Sequence, residues 1–293
     1  YTEVCSRNAA IAFSPKYIYA PIYELLEGRS VTSGHHLNNT KVIGVQHGIM
    51  FNLQEERIIS SLALLDKYGY SKYVPDIISV EGENTKKAYA DHRDLYTKVK
   101  VIGAPRILLG NKCPILGFDR DRDATTNIIV FDDRYSSIML TELATSLADA
   151  YSIIFRRHPS AANLRITNKL TDRKDYGWFL ENSTSSIMDL IVKYKPTACI
   201  CCLSGVYVEL LKLGIPVILM KNNRYPITSP LFDGRSVMPL FSSYQEIQAE
   251  ITLLNNSPDY QKQRIVNGLK LFKQLVKSTG DDATKALSML ITH

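Results

Sequence analysis

Apolar and polar positions alternate along this chain with two different periods, and the pattern is clearest in the second half. Runs of four or five apolar residues favour buried strands, whereas apolar positions three and four apart favour one face of a helix. The predicted elements of this half, in chain order, are strand 127–131, helix 137–150, strand 152–156, helix 184–193, strand 198–202, helix 206–213 and strand 216–220. Strands that alternate with helices form right-handed βαβ units. We therefore predict a complete Rossmann-like domain with a parallel sheet covered on both faces.

The first half contains fewer such segments. Strand-like runs at 41–45 and 99–102 flank a helix-like stretch at 83–91, but the residues before Lys41 hold a single predicted helix, around Ala20 to Leu26. A doubly wound domain needs further strands at its start. Because the chain begins with Tyr1 rather than Met, we expect an N-terminal Rossmann-like domain that is truncated.

A charged segment without apolar periodicity, residues 119–126, separates the two halves. Such a segment is typical of a linker or an exposed loop. It predicts an incomplete N-terminal domain over residues 1–118 and a C-terminal domain over residues 119–293. The helical pattern from Tyr244 onward is counted with the second of these domains, and we expect its helices to pack back on both.

Composition limits the class of protein. The 293 residues are enough for two domains, and 45% hydrophobic residues is ordinary for a soluble globular protein. No stretch is long and apolar enough to cross a bilayer, and no signal peptide is recognisable, so we expect a soluble, cytoplasmic protein. The net charge of +6 comes from scattered basic residues. That distribution suits an anionic substrate and argues against nucleic acid, which brings a concentrated basic face.

The five cysteines predict core packing rather than chemistry. Cys199, Cys201 and Cys202 share one apolar run, whereas Cys5 and Cys113 stand alone. An odd count without paired spacing argues against a disulfide framework, and the lack of a Cys/His ligand pattern argues against a zinc site. We expect small core side chains and no metal.

One predicted strand ends abruptly in a polar cluster. The apolar run 153–155 is followed directly by Arg156, Arg157, His158 and Pro159. Open α/β sheets bind ligands at the carboxyl ends of their strands, and two guanidinium groups beside an imidazole suit a phosphate. Proline disfavours the helical conformation at the residue before it, so we expect His158 to leave the strand in extended backbone. The alternative is a strand-end histidine beside two solvated arginines.

The strand 41–45 carries a similar polar end in the first half, Gln46-His47-Gly48. Gly48 permits a tight turn, and the Gln46 amide and His47 imidazole offer donors and acceptors. We place these residues at the mouth of a predicted cleft. The alternative is a structural histidine after a strand.

Ser204 and Gly205 lie where the strand 198–202 gives way to the next predicted helix. Backbone N–H groups at a helix start bind phosphate, and the helix dipole assists. Ser204 is equally suited to a plain N-cap role, which is compatible with phosphate contact. Glu209, about one and a half turns into the helix, is placed to reach a ribose or a base. The alternative is a solvated or ion-paired helix carboxylate.

Two further strand ends bear on the site. Asp132 and Asp133 follow the strand 127–131, where paired carboxylates suit a metal or acid/base chemistry. Asp-Asp-Arg after a strand is also an ordinary turn, which we favour over a metal site. The Gly-Ala-Pro segment before Arg106 predicts a rigid exit turn that puts Arg106 near the cleft in a structural role.

Together these motifs resemble those of bacterial two-Rossmann (GT-B) glycosyltransferases of surface polysaccharide synthesis. The resemblance runs from about Lys41 to Leu219 and rests on four features: Gln-His-Gly after a strand, a Gly-x-Pro-Arg exit, an Arg-x-His-Pro strand end, and Ser-Gly-x-x-x-Glu followed by Gly-Ile-Pro-Val-Ile. The nearest groups are the capsule polysialyltransferases and Kdo transferases, and the glycerophosphotransferases of teichoic acid synthesis. The resemblance implies an α/β fold of two Rossmann-like domains.

The resemblance also implies a function and a set of roles. The chain would be a metal-independent glycosyltransferase, without a cofactor, that moves a sialic-acid-like or Kdo-like sugar from a CMP-activated donor to a bacterial surface glycan or lipid-linked glycan. It would work in the cytoplasm, with peripheral contact to the inner membrane left open. In those families the His-Pro pair contacts the donor phosphate and the serine motif lies beside it. The donor-binding residues carried over are Arg156, Arg157, His158, Pro159, Ser204, Gly205 and Glu209.

The catalytic base is less well defined by the resemblance. The sialyltransferase relatives carry an Asp/Glu-Asp-Gly triplet that supplies the base, and this sequence has no such triplet. The base is then His47, Glu55 or Glu56, or a residue upstream of this chain. Gln46, Gly48 and Arg106 line the cleft.

Two other functions fit the same motifs. A CDP-alditol-dependent phosphotransferase of the teichoic-acid type shares the cytidine nucleotide. A non-catalytic GT-B-like glycan-binding module is favoured by the missing acidic triplet and opposed by the Arg/His cluster.

Overall fold

The computed structural model describes residues 2–21, 23, 26–46, 52–107, 115–116, 126–133, 136–158, 178–181, 185–202, 204–222 and 238–291. The chain divides into two compact units, one formed by residues 1–112 with 273–293 and the other by residues 113–272. Each unit contains a parallel sheet flanked by helices. The α/β class with two Rossmann-like sheets, expected from the sequence, is confirmed.

The first unit is organised around a four-stranded sheet in the order β1-β2-β3-β4. Its strands are β1 (Tyr17–Pro21), β2 (Lys41–Val45), β3 (Ile77–Val80) and β4 (Val99–Val101). The helices before and between them are α1 (Thr2–Phe13), α2 (Leu26–His36), α3 (Asn52–Lys67), α4 (Glu83–Ala88) and α5 (Arg93–Lys98), with a short 3₁₀ turn at Ser71–Tyr73. A core of fully buried side chains such as Leu62, Ile78 and Tyr89 joins the helices to the sheet.

The predicted helix around Ala20 to Leu26 is wrong. Residues Tyr17–Pro21 form β1, which pairs in parallel with β2 in register from Tyr17 opposite Lys41 to Pro21 opposite Val45. The strand lies at the end of the sheet, where a proline without an N–H group is tolerated. At least one of the opening strands that the sequence interpretation counted as missing is therefore present.

The second unit contains a six-stranded parallel sheet in the order β10-β9-β8-β5-β6-β7. Its strands are β5 (Asn127–Phe131), β6 (Ser152–Arg156), β7 (Trp178–Glu181), β8 (Ala198–Cys201), β9 (Val217–Met220) and β10 (Leu240–Phe241). The helices are α6 (Ser137–Leu147), α7 (Ile187–Tyr194), α8 (Tyr207–Lys212), α9 (Tyr244–Asn256) and α10 (Pro258–Leu275). The predicted strands at 127–131 and 152–156 have the bounds that the sequence indicated.

The core of this unit explains why its strands are easily recognised in the sequence. Ile128, Val130, Ile153 and Phe155 are almost completely buried in one hydrophobic cluster with residues of α6 and α9. A strand covered on both faces is a continuous apolar run rather than an alternating one. The three clustered cysteines are fully buried, as predicted, and burial raises the pKa of the Cys199 and Cys201 thiols well above the usual range.

Residues 273–293 belong to the first unit and residues 244–272 to the second, whereas the sequence analysis counted the whole segment from Tyr244 with the C-terminal domain. Residues after α10 pack on the exits of β3 and β4: Lys277 donates its N–H to the Glu81 carbonyl (2.9 Å) and Ala104 donates to the Ser278 carbonyl (2.8 Å). Helix α11 (Gly280–Met289) follows. Gly103 has a φ of +99°, and a Cβ there would collide with the Ser278 carbonyl oxygen, so this contact requires glycine. Amphipathic periodicity alone carries no information about which domain a helix joins.

Candidate functional site

The order of strands in the second sheet marks a ligand-binding position. From β5 the chain proceeds to β6 and β7 on one side, then returns to β8 and proceeds to β9 and β10 on the other. Open α/β sheets bind ligands at the carboxyl ends of the strands where the order reverses in this way. The polar residues that follow β5, β6 and β8 therefore form the candidate site.

The Arg-Arg-His cluster lies at this edge. Arg156 is the last residue of β6, paired in register with Phe131 of β5, and Arg157 and His158 follow it. All three side chains are half-buried. The Asp132 N–H donates to the Arg156 carbonyl (2.8 Å), which extends the pairing of β5 and β6 beyond the last ladder pair. The Arg-Arg-His cluster therefore begins at the end of β6, where the strand is hydrogen-bonded to the backbone of Asp132.

Asp132 is a buried carboxylate, with 4% of its surface exposed. Burial raises its pKa and the charge of Asp133 adds to this, while hydrogen bonds from the Ser137 hydroxyl and from the His158 N–H oppose the shift. Within the described part of the chain, its Oδ1 atom is buried without a hydrogen-bond partner. The sequence analysis treated this residue as part of a turn and missed its burial.

A buried polar chain continues across the neighbouring strand ends. Asp133 Oδ1 accepts a hydrogen bond from the Ser136 N–H (2.7 Å), which closes the turn into α6. The Asn222 side chain, after β9, donates to the Ser136 hydroxyl (2.9 Å). Cys202, after β8, is hydrogen-bonded to Ser136 and Asn222, and burial outweighs these bonds and raises its pKa to about 12. We call Asp132, Asp133, Ser136, Asn222 and Cys202 the strand-end network.

Ser204 and Gly205 form a turn before α8 rather than the helix start itself. Helix α8 begins at Tyr207 and has six residues, and the Ser204 hydroxyl accepts a weak hydrogen bond from the Val206 N–H (3.4 Å). A Cβ added at Gly205 would meet no atom of the described residues within 4 Å. Glu209 lies in the first turn of α8 and is half-buried. The dipole of so short a helix is small, so a ligand there would depend on the turn itself.

The first unit has its own polar strand end. Gln46, directly after β2, is buried, and its Oε1 accepts a hydrogen bond from the Glu81 N–H (2.9 Å). The Glu81 carboxylate in turn accepts from Arg106 through Nε (2.8 Å) and Nη2 (3.2 Å). Two residues predicted to line a cleft are therefore joined through Glu81, which the sequence analysis did not single out although it directly follows β3.

No protein-family model and no curated protein matches the chain. Solved structures do resemble it. UDP-GlcNAc 2-epimerase from Neisseria meningitidis, bound to UDP-GlcNAc, matches with a TM-score of 0.66 at 14% identity, over 100% of this chain and 80% of that one. HepE from Anabaena, in complex with UDP-glucose, matches with a TM-score of 0.63 at 11% identity, over 99% and 82%.

The wall teichoic acid polymerase TagF, solved with CDPG, matches with a TM-score of 0.53 at 14% identity, over 87% of this chain and 67% of that one. The two parallel sheets and this coverage decide the fold. The chain has the GT-B fold. At such identities the likeness shows the fold alone, so the roles of individual GT-B site residues in this chain stay predictions.

Several predicted site residues cannot be placed in this GT-B framework. His47, Gly48 and Pro159 lie outside the described residues, as does the predicted linker at 119–125. Glu55 and Glu56 lie in α3, but their side chains are outside the description. The choice of catalytic base therefore stays a prediction.

Two findings bear on metals and membranes. Among the residues that the structure describes, no three His, Cys, Asp or Glu side chains are grouped so that they could hold a metal ion. Across the same ranges, none of the helices is both long and apolar enough to cross a bilayer. The turn that the sequence indicated after β5 is present, since Asp133 Oδ1 accepts a hydrogen bond from the Ser136 N–H.

Proposed function

We propose that this chain is a glycosyltransferase whose nucleotide-activated donor binds at the carboxyl edge of the second sheet. The observation that supports the proposal is the placement of the polar segments: Arg156, Arg157 and His158 end and follow β6 and the Ser204 turn follows β8, the two neighbours of β5, where the strand order reverses. The resemblance of the fold to enzymes solved with UDP-GlcNAc and UDP-glucose supports it.

The chemistry of the cluster fits a leaving phosphate. Arginine binds phosphate oxygens in a bidentate manner and keeps its charge at any accessible pH. When the bond between sugar and phosphate breaks, negative charge grows on the leaving oxygen, and preorganised donors in a half-buried site stabilise it. Arg156, Arg157 and His158 would supply these donors. Ser204 and Gly205 would contact the same phosphate, and Glu209 the nucleoside.

The acceptor would be a hydroxyl group of a glycan or a lipid-linked glycan. A base must take its proton as the new bond to the sugar forms. We propose His47, Glu55 or Glu56 for this role, in the first unit. The donor is proposed to be CMP-linked, as the motif resemblance implies; UDP is the alternative because the similar structures were solved with UDP-sugars.

The binding experiment is isothermal calorimetry with CMP, CDP and UDP on the chain and on His158→Ala. We expect one pyrimidine nucleotide to bind and the variant to bind it at least about tenfold more weakly, since a hydrogen bond to a charged group contributes roughly 1.5–3 kcal/mol. A proportionate fall in turnover is expected with the matching nucleotide-sugar. A chain that binds none of the three nucleotides, or a variant with unchanged turnover, would overturn the proposal.

A second candidate is a nucleotide-sugar epimerase, favoured by the TM-score of 0.66 with UDP-GlcNAc 2-epimerase. Incubation with UDP-GlcNAc and no acceptor distinguishes the two. A transferase leaves the sugar configuration unchanged, whereas an epimerase produces the sugar inverted at carbon 2, which proton NMR detects.

The structural similarity to TagF makes a phosphotransferase the third candidate function. Mass spectrometry of the acceptor product separates it from a glycosyltransferase. A phosphotransferase adds a phospho-alditol group, whereas a glycosyltransferase adds a sugar without phosphate.

A further inference from the structure

The segments that lead into β1, β2 and β3 meet at the amino edge of the first sheet, because parallel strands begin at the same edge. We call them the amino-edge surface; they are residues 13–17, 37–41 and 67–76. The Lys41 N–H donates to the Lys16 carbonyl (3.1 Å), which joins the first two segments. The His36 Nδ1 donates to the Lys72 carbonyl (2.9 Å), which joins the end of α2 to the third. The three segments therefore form one continuous surface.

This surface exposes large side chains that a folded domain usually buries. Phe13 is 81% exposed, Tyr68 65%, Tyr70 54% and Leu37 50%. Single apolar residues on a surface are ordinary, but four in three adjoining segments form a cluster that indicates a binding surface. Tyrosine has an apolar ring and a polar hydroxyl, which suits a boundary between water and an apolar phase.

Lysine side chains lie among these apolar groups. The Nζ atoms of Lys16 and Lys41 lie 5.5 and 5.9 Å from the centre of the Tyr17 ring. The Nζ atom of Lys67 lies 5.8 Å from the centre of the Tyr68 ring. Among the described residues, no carboxylate forms an ion pair with any of these three lysines. Their charges are therefore available to an anionic partner.

The carboxylates near the amino-edge surface have cations of their own. These pairs are Glu3 with Lys72 (3.5 Å), Asp66 with Lys98 (3.1 Å) and Asp76 with His36 (3.0 Å). They do not cancel the charges of Lys16, Lys41 and Lys67. The described part of this surface is therefore positive even when His36 is neutral.

We propose that the amino-edge surface binds an anionic lipid bilayer and lies against its headgroups. Lysines are attracted to a negative membrane surface, and apolar side chains that enter the headgroup boundary add to the binding. A protein partner fits less well, because protein interfaces are depleted in lysine and enriched in arginine. A second copy of this chain would bring like charges together.

This inference goes beyond the proposed function and does not depend on it, because the proposed donor-binding residues belong to the second unit. The His158→Ala variant separates the two. It should bind vesicles as the unaltered chain does, whether or not the chain binds a nucleotide.

The experiment is flotation of the whole chain with vesicles of phosphatidylcholine alone and of phosphatidylcholine mixed with phosphatidylglycerol. We expect binding to the mixed vesicles only, and weaker binding at high salt, because salt screens exposed charges. A chain that does not bind the mixed vesicles overturns the proposal. Binding of soluble polyglutamate without binding of vesicles indicates an acidic protein partner and overturns it as well.

The charge variant combines Lys16→Gln, Lys41→Gln and Lys67→Gln. It should bind the mixed vesicles about 100-fold more weakly, since each lysine near an anionic surface contributes about fivefold. Circular dichroism should show the same melting temperature as for the unaltered chain, because these side chains are at the surface.

The matched control replaces three exposed lysines of α10, Lys262, Lys270 and Lys273, by glutamine. It removes the same total charge from another part of the surface and should bind within about twofold of the unaltered chain, because salt screens distant charges. Equal weakening in the two triple variants means attraction by net charge alone and overturns the assignment to the amino-edge surface.

Phe13→Ser examines the apolar contribution. It should weaken binding about tenfold at low and at high salt, since the burial of an aromatic side chain contributes on this order and is not screened. Leu253→Ser is its control, because Leu253 is also exposed (49%) but lies in α9 of the second unit. If Phe13→Ser binds the mixed vesicles no more weakly than Leu253→Ser, the amino-edge surface does not enter the headgroup boundary and the proposal is wrong.

Discussion

The carboxyl edges of the two sheets use a buried carboxylate in different ways. In the first unit, Glu81 is 1% exposed and its carboxylate is held by the guanidinium of Arg106. In the second unit, Asp132 is 4% exposed, and its Oδ1 atom has no hydrogen-bond partner among the described residues. In the first unit the guanidinium of Arg106 is therefore paired with Glu81, and this pair fixes the exit of β4. In the second unit the Asp132 N–H donates to the Arg156 carbonyl (2.8 Å) and joins the ends of β5 and β6.

A basic residue near a strand end is not by itself a ligand-binding group. Arg106 and Arg156 both follow or end a parallel strand, and both were placed at a site from the sequence. Arg106 makes two hydrogen bonds to one carboxylate, which accounts for its position structurally. The phosphate role is proposed for the second edge because the order of its strands reverses there.

The largest effect is expected from removing the Glu81–Arg106 ion pair at the carboxyl edge of the first sheet. Glu81→Ala would leave Arg106 without its carboxylate partner in a mostly buried setting, and removing one partner of a buried pair costs roughly 3–5 kcal/mol. We expect faster hydrogen exchange in peptides covering β2 and β3, measured by mass spectrometry.

Asp66→Asn is the control for this experiment. Asp66 pairs with Lys98 (3.1 Å) in the same unit, but both side chains keep more exposed surface than Glu81. Exposed pairs contribute about 1 kcal/mol or less. Equal exchange in the two variants would contradict a special role for the Glu81–Arg106 pair.

The sequence allowed the second sheet and its polar edge to be predicted, but not the contacts within that edge. Strands such as β5 and β6 are apolar runs buried on both faces, so their pattern has no alternative interpretation. β1 has tyrosines, an alanine and a proline at the end of a sheet, and its weak pattern was not recognised as a strand; the predicted helix at 20–26 overlaps its last two residues.

The strand-end network was missed for a physical reason. Asn222 and Ser136 are 86 residues apart, and nothing local in either segment indicates that they meet. The burial of Asp132 likewise depends on which strands are neighbours. Only the turn formed by Asp133 and Ser136 has a local signal, an aspartate three residues before a serine that precedes a helix.

A smaller effect is expected on nucleotide affinity, and it should differ between Arg157 and Arg106. Arg157→Ala should weaken binding of the preferred pyrimidine nucleotide by about tenfold or more, because a charge-assisted hydrogen bond contributes roughly 1.5–3 kcal/mol. Arg106→Ala should leave the affinity within about twofold, on the same scale of energies. Calorimetry at fixed salt measures both. If Arg106→Ala weakened binding as much as Arg157→Ala, the contrast drawn between the two edges would be wrong.

The smallest effect concerns a third carboxylate, Asp76, which is exposed and lies at the amino edge of the first sheet. It accepts a hydrogen bond from the Val42 N–H (2.7 Å) and pairs with His36 (3.0 Å). Burial would lower the pKa of His36, but its bonds to Asp76 and to the Lys72 carbonyl outweigh burial and raise it above 6.5. Burial would raise the pKa of Asp76, but the bonds from His36 and Val42 lower it below 3.8.

Because the two pKa values shift in opposite directions, the His36–Asp76 pair stabilises the fold only within a range of pH. The stabilisation from a raised histidine pKa is complete below pH 6.5 and is lost as the pH rises through the folded value, and that from a lowered aspartate pKa is lost as the pH falls below 3.8. We expect the pair to contribute about 0.5 kcal/mol near pH 5 and less at pH 8, because solvent screens it. His36→Gln should flatten this difference in hydrogen exchange of β2. An unchanged pH dependence would show that this exposed carboxylate, unlike Glu81, contributes nothing measurable to the stability of its sheet.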